Sequence, residues 1–225
     1  MSNVIQKSTF QFLLDIKENN HRDWFHANKP YYQAALDNIK AFQKDLHNQM
    51  TEHDEIESAK LFRIYRDVRF SKDKTPYKSS FSGSFVRATK WRRGGYYFHI
   101  EPQNTFLAGG FWNPNSPDLK RIRYEIAHNT AEFRSHLEAP TFQKAFGKLH
   151  GDQVKTAPKG YPKDHPAIDL LRYKQLIVMH HFEDQDIFAD DFAATLNGFF
   201  KKMRPFLDFM SSVLTTDENG VPIED

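Results

Sequence analysis

The apolar residues of this 225-residue chain change period part way along, and that change decides its fold class. Tyr31, Ala35, Ile39, Phe42, Leu46 and Met50 recur every three or four residues, the stripe of one long amphipathic helix with Pro30 in its first turn. From Phe62 onward the period falls to two. Phe62–Phe70, Ser80–Arg87, Tyr96–Glu101 and Thr105–Trp112 each alternate, and their β-branched and aromatic content fits strands. Pro102-Gln103-Asn104 separates the last two by a hairpin-sized loop. Helical spacing returns at Leu119, Ile122, Ile126, Phe133 and Leu137 behind Ser116-Pro117, and again over Asp190–Leu214. A short helix at Ala167–Arg172 and a strand at Gln175–Phe182 lie between them, and Phe10, Leu13 and Leu14 form a first helical stripe. The expectation is an α+β fold in a single domain over residues 1–214. It has an antiparallel sheet of about four to six strands, with N-terminal, central and C-terminal helices packed against it. The polar run TTDENGVPIED at 215–225 reads as a disordered tail.

Charge is gathered rather than spread. Lys60–Arg93 holds eleven basic residues and two acidic ones, a local formal charge of +9 in a chain whose total is +2. Its centre is RDVRFSKDKTPYK, Arg66–Lys78. A guanidinium grips phosphate or carboxylate through two parallel hydrogen bonds, and lysine adds a mobile point charge. Arg63, Arg66, Arg69, Lys72, Lys74 and Lys78 are therefore candidate ligands for an anionic small molecule, with hydroxyls from Ser71, Thr75, Ser79 and Ser80 beside them. On the strand register Arg66 shares a face with Phe62, Ile64, Val68 and Phe70, where a guanidinium needs an acceptor. The competing reading pairs these cations with Asp67 and Asp73 on a solvated surface.

Chemistry is less marked. His99 titrates near neutrality and, with Asp67, is a candidate acid or base. His99, Glu101 and His181 sit at positions where neighbouring strands bring nitrogen and oxygen ligands to a metal, the basis of an alternative reading as a metal-dependent hydrolase. No HExxH spacing and no cysteine supports it. Tyr65, Phe70, Tyr77, Trp91, Tyr96 and Tyr97 interleave with the cations, which suits a stacking platform for nucleic acid. In KGYPKDHP, Asp164 is a natural helix cap ahead of Pro166. Walker A, GxGxxG and GxSxG patterns are missing, and no cofactor is indicated. No apolar run reaches membrane-spanning length, and the opening MSNVIQKSTF lacks a secretory pattern, so no membrane partner and a cytoplasmic location are expected.

Four segments together resemble one family. They are RDVRFSKDKTPYK, GGYYFHIEP at Gly94–Pro102, GGFWNP at Gly109–Pro114, and APKGYPKDHP followed by LLRYK up to Lys174. The family they resemble is a widespread one of conserved hypothetical proteins built on a domain of unknown function. The resemblance runs from about Phe10 to Leu214. It implies a single domain and a signature matched by Arg66, Asp67, Arg69, Phe70, Asp73, Lys74, Pro76, Tyr77 and Lys78. It implies no activity, catalytic residue or cofactor.

Overall fold

A computed structural model of the chain describes residues 4–217 and 219–223. The fold is α+β, as the periodicity predicts. Strands β1 (Ile56–Leu61), β2 (Phe81–Arg87), β3 (Gly95–Ile100), β4 (Thr105–Phe111) and β5 (Leu176–Phe182) form one antiparallel sheet in their sequence order. Helices α1 (Lys7–Glu18), α2 (Arg22–Ala27) and α3 (Lys29–Thr51) precede it. Between β4 and β5 lie α4 (Ser116–His128), α5 (Thr130–Glu138), α6 (Pro140–Phe146) and α7 (Ile168–Leu171), and α8 (Phe192–Thr215) comes after β5.

The chain divides into two compact units. The first comprises Met1–Phe85, Tyr97–Leu107 and His181–Gly198. In it Ala35, Ile39, Phe42, Leu46 and Met50 of α3 are all buried, the stripe expected of them. Phe42 meets Phe98 of β3 at 5.9 Å and Phe192 at 5.9 Å, while Phe12 of α1 stacks on Phe81 of β2 at 6.1 Å. Burying such rings contributes roughly 1.5–3 kcal/mol each. Gly83 has no substitute in this core, because a Cβ there would strike the ring of Phe98.

The second unit comprises Val86–Tyr96, Ala108–His180 and Phe199–Asp225. Phe206 of α8 packs edge-on against Phe133 of α5 and Phe142 of α6. The helix expected to run from Ser116 through Leu137 is broken at Asn129, which ends α4 and precedes α5. Its N-cap is Asn115, whose Oδ1 accepts from Asp118 N–H at 2.8 Å, rather than Ser116. Asp164 caps nothing: α7 starts at Ile168, and His165 Nδ1 accepts the Ala167 N–H at 3.0 Å. Of the run 215–225 expected to be a free tail, residues 218, 224 and 225 lie outside the described residues. Thr216 bridges Pro222, and the Arg121 guanidinium donates to the carbonyls of Thr216 and Asp217 at 3.3 Å.

The largest departure from expectation is at 62–70. The first strand is Ile56–Leu61, and residues 62–80 form a loop instead of continuing it. The Tyr65–Tyr77 bridge closes the loop at its base, with Arg66 N–H on Pro76 O and Lys78 N–H on Ile64 O. Two aspartates explain the loop. Asp67 Oδ1 accepts the N–H of Arg69, and Asp73 Oδ1 accepts the N–H of Thr75 at 2.9 Å. Such Asx turns offer the backbone a local alternative to a ladder.

Candidate functional site

The site is built on this loop's base. Asn20, in the α1–α2 connection, uses its side-chain amide as a strand would use its backbone. Its Nδ2 donates to Tyr77 O at 2.9 Å, and its Oδ1 accepts Tyr77 N–H at 3.1 Å. Tyr77 in turn stacks on buried Phe25 at 4.1 Å. The loop base is thereby fixed beside α1, and a pocket of about 470 Å³ opens between them. Its cations are Lys17, Arg66 and Lys78, against the carboxylates of Asp73 and Glu101. Thr75, Ser79 and Ser80 add hydroxyls, and His99 completes one wall.

Both carboxylates are already engaged. Asp73 pairs with the Arg66 guanidinium and accepts from the Thr75 hydroxyl, and the Thr75 N–H together with Arg66 holds its pKa down at about 2. Glu101 accepts from the Ser79 hydroxyl at 2.8 Å, from Asn104 Nδ2 at 2.8 Å and from His99 Nε2 at 3.1 Å. Burial pushes the Glu101 pKa up, yet these three donors together bring it below its ordinary value. Lys78 differs. Among the described residues no carboxylate lies within ion-pair distance of its ammonium, which is half-buried and 5.7 Å from the Phe62 ring. Its pKa is lowered by burial and then by the like charges of Arg63 and Arg66.

Along β3, Tyr97 and His99 point to one face and Tyr96, Phe98 and Ile100 to the buried one, and Glu101 follows directly after the strand. With Glu101 ionised, His99 Nε2–H donates to it, and Nδ1 accepts the Tyr97 hydroxyl at 3.0 Å. Both ring nitrogens of His99 thus have partners two residues away along the chain, Tyr97 in the strand and Glu101 just after it. Burial holds His99 neutral by lowering its pKa, opposed by Glu101. A group whose pKa is depressed on folding contributes stability above its unfolded value of 6.5 and loses it as pH falls through the folded value. Glu101→Gln should lower the His99 pKa further, read as an acid shift of its ring-proton titration by NMR. An unchanged or raised titration would disprove the coupling.

The loop and pocket sort the sequence candidates. Arg66, Lys78, His99 and Glu101 line the pocket. Arg69 does not; it makes a two-point pair with Asp67 at 2.9 and 2.6 Å on an exposed side chain. Lys74 donates to Val68 O at 2.9 Å inside the loop, while Arg63 and Lys72 are exposed and lie outside the pocket lining. Arg66 is not on an apolar face but in the loop, with Asp73 and Thr75. His181 lies off the pocket: the Phe106 ring of β4 stacks on His99 at 4.8 Å on one side and meets His181 at 5.4 Å on the other. Among the described residues no group of three His, Asp or Glu is placed to hold a metal ion. Lys17 and Asn20 carried no signal in the sequence, since α1 reads as an ordinary amphipathic helix.

Over residues 8–209 the chain matches the family described as conserved hypothetical protein (DUF2461), and it belongs to that family. No curated protein and no solved structure matches it. No helix among the described residues is long and apolar enough to cross a membrane.

Proposed function

We propose that this member of the conserved hypothetical family binds a small molecule carrying a phosphate or carboxylate group, at the pocket of Lys17, Arg66 and Lys78. The observation that carries the reading is Lys78: a half-buried ammonium near two guanidinium groups, with no carboxylate among the described residues within ion-pair distance of it. Such an arrangement favours an added anion, and the other groups an anion needs are in place. The unused donors of Arg66 and the Ser80 hydroxyl supply charge-assisted hydrogen bonds of about 1.5–3 kcal/mol, whereas the Thr75 and Ser79 hydroxyls already donate to Asp73 and Glu101. The volume suits a metabolite-sized ligand.

Titration calorimetry with ribose 5-phosphate at low ionic strength tests it. The expected result is saturable binding that weakens with salt, accompanied by a rise in melting temperature. No heat and no thermal shift at millimolar ligand would remove the reading. A second reading, non-catalytic nucleic-acid binding, is favoured by Phe70, which is 97% exposed between Arg69 and the basic Lys72 and Lys74. It predicts oligonucleotide affinity that falls by ~0.7 log units per log unit of salt for each phosphate contacted.

A further inference from the structure

We infer that the ligand of this pocket carries a planar aromatic ring next to its anionic group, as a mononucleotide does, and that the ring lies against Phe62, Tyr97 and Phe106. The inference rests on the anion-binding reading above and names its ligand class. Strands covered on one face place polar residues on the other. Here that other face carries rings instead. Phe62 just beyond β1, Tyr97 on β3 and Phe106 on β4 are all half-exposed, and all belong to the first unit.

The rings are contiguous. Phe62 and Tyr97 are 6.3 Å apart, Tyr97 and Phe106 5.8 Å, and Phe106 stacks on His99 with the planes 17° apart. None is needed for the core, which these strands fill from the opposite register with Tyr96, Phe98, Ile100 and Leu107. Between Phe62 and Tyr97 runs β2, where the side chain is only a serine: Ser82, whose hydroxyl hydrogen-bonds the Tyr97 oxygen. Ser82 is itself buried under the flanking rings, so a flat group would rest on their exposed edges and faces rather than in a gap between them.

The aromatic stripe and the anion site meet at shared residues. His99 lines the pocket and stacks on Phe106. The ammonium of Lys78, which faces the anion, is 5.7 Å from the centre of the Phe62 ring, and that of Lys60 is 5.6 Å from it. A ligand with charge at one end and a ring at the other matches that juxtaposition, with cations bordering the ring site as well. An open sugar phosphate uses only half of it.

The test compares AMP with ribose 5-phosphate by calorimetry on the full chain, using wild type, Phe62→Leu and Phe106→Leu. AMP should bind at least about tenfold more tightly than ribose 5-phosphate, the scale of one stacked base. Each leucine variant should remove most of that advantage while leaving ribose 5-phosphate affinity within about twofold. Melting curves confirm that the variants are folded; both positions are half-exposed, and having two keeps the comparison usable if one unfolds. Equal affinity of the two ligands overturns the ring site and leaves the anion site standing. Binding of neither removes both. A twelve-nucleotide oligothymidylate that binds far more tightly than AMP also overturns the inference, since it points to an open track.

Discussion

Replacing Lys78 with methionine should stabilise the empty protein and abolish anion binding. The two signs arise from one geometry. In the absence of ligand the Lys78 ammonium is partly desolvated and faces the charges of Arg63 and Arg66, both of which lower its pKa. A methionine of similar length removes that repulsion and keeps the contact with the Phe62 ring. Solvent screens part of the gain, so the expected rise in melting temperature is modest, roughly 1–3 °C for a chain of this size. The folded pKa lies below the unfolded 10.5, so the unfolded chain binds more protons between the two values. Wild-type stability therefore recovers as pH rises through that window, and the advantage of Lys78→Met shrinks there. Binding goes the other way: loss of the central cation should weaken ribose 5-phosphate by about ten- to a hundredfold, the worth of one charged hydrogen bond. Lys78→Arg keeps the charge and should retain most of the affinity. A Lys78→Met protein that melts lower and binds as well as wild type would show the ammonium to be structural.

What could be read in the sequence tracked burial. The α3 stripe was legible because each of its apolar positions except the half-exposed Tyr31 is indeed inside, and β2, β3 and β4 were legible because one face of each is covered. Strand β1 was not. Its residues, IESAKL, are mostly exposed and show no alternation to detect. Conversely, Phe62, Ile64, Val68 and Phe70 alternate without forming a strand. Ile64 is buried at 1%, but Phe70 is exposed at 97%, because Asp67 and Asp73 turn the backbone between them. The pocket was half legible: Arg66, Lys78, Thr75, Ser79, Ser80, His99 and Glu101 came from charge and chemistry. Lys17 and Asn20 enter only through a pairing of Asn20 with Tyr77, 57 residues along the chain, for which a single sequence offers no local sign. Nor did charge count distinguish the roles of equal cations. Arg87 was one of eleven in the basic window, yet it continues the inward face of Phe81, Gly83 and Phe85 and is fully buried. Its register, rather than its charge, was the usable signal.

That register makes Asp208→Ala the most damaging single substitution expected of this chain. Arg87 donates to Arg93 O and to Ser211 Oγ at 3.3 Å and forms an ion pair with Asp208 on α8, which also pairs with Arg204 Nε at 3.2 Å and approaches Arg92 at 3.9 Å. Removing the carboxylate takes an ion-pair partner from a fully buried guanidinium and from Arg204 and Arg92 beside it. Breaking a fully buried pair from one side costs about 3–5 kcal/mol. With Asp208 42% exposed the low end, about 3 kcal/mol, applies, which for this length lowers the melting temperature by roughly 6–12 °C. Asp208→Asn keeps an oxygen acceptor without the charge and should fall between. Arg87→Met behaves differently, because it removes the buried charge itself and leaves Asp208, 42% exposed, with Arg204 still beside it. Replacing a buried ion by an apolar side chain of similar size is often close to neutral. Urea unfolding of the three variants decides the matter. A loss for Arg87→Met equal to that for Asp208→Ala would mean that the guanidinium's packing and hydrogen bonds, not its ion pair with Asp208, hold the end of β2 to α8 in the second unit.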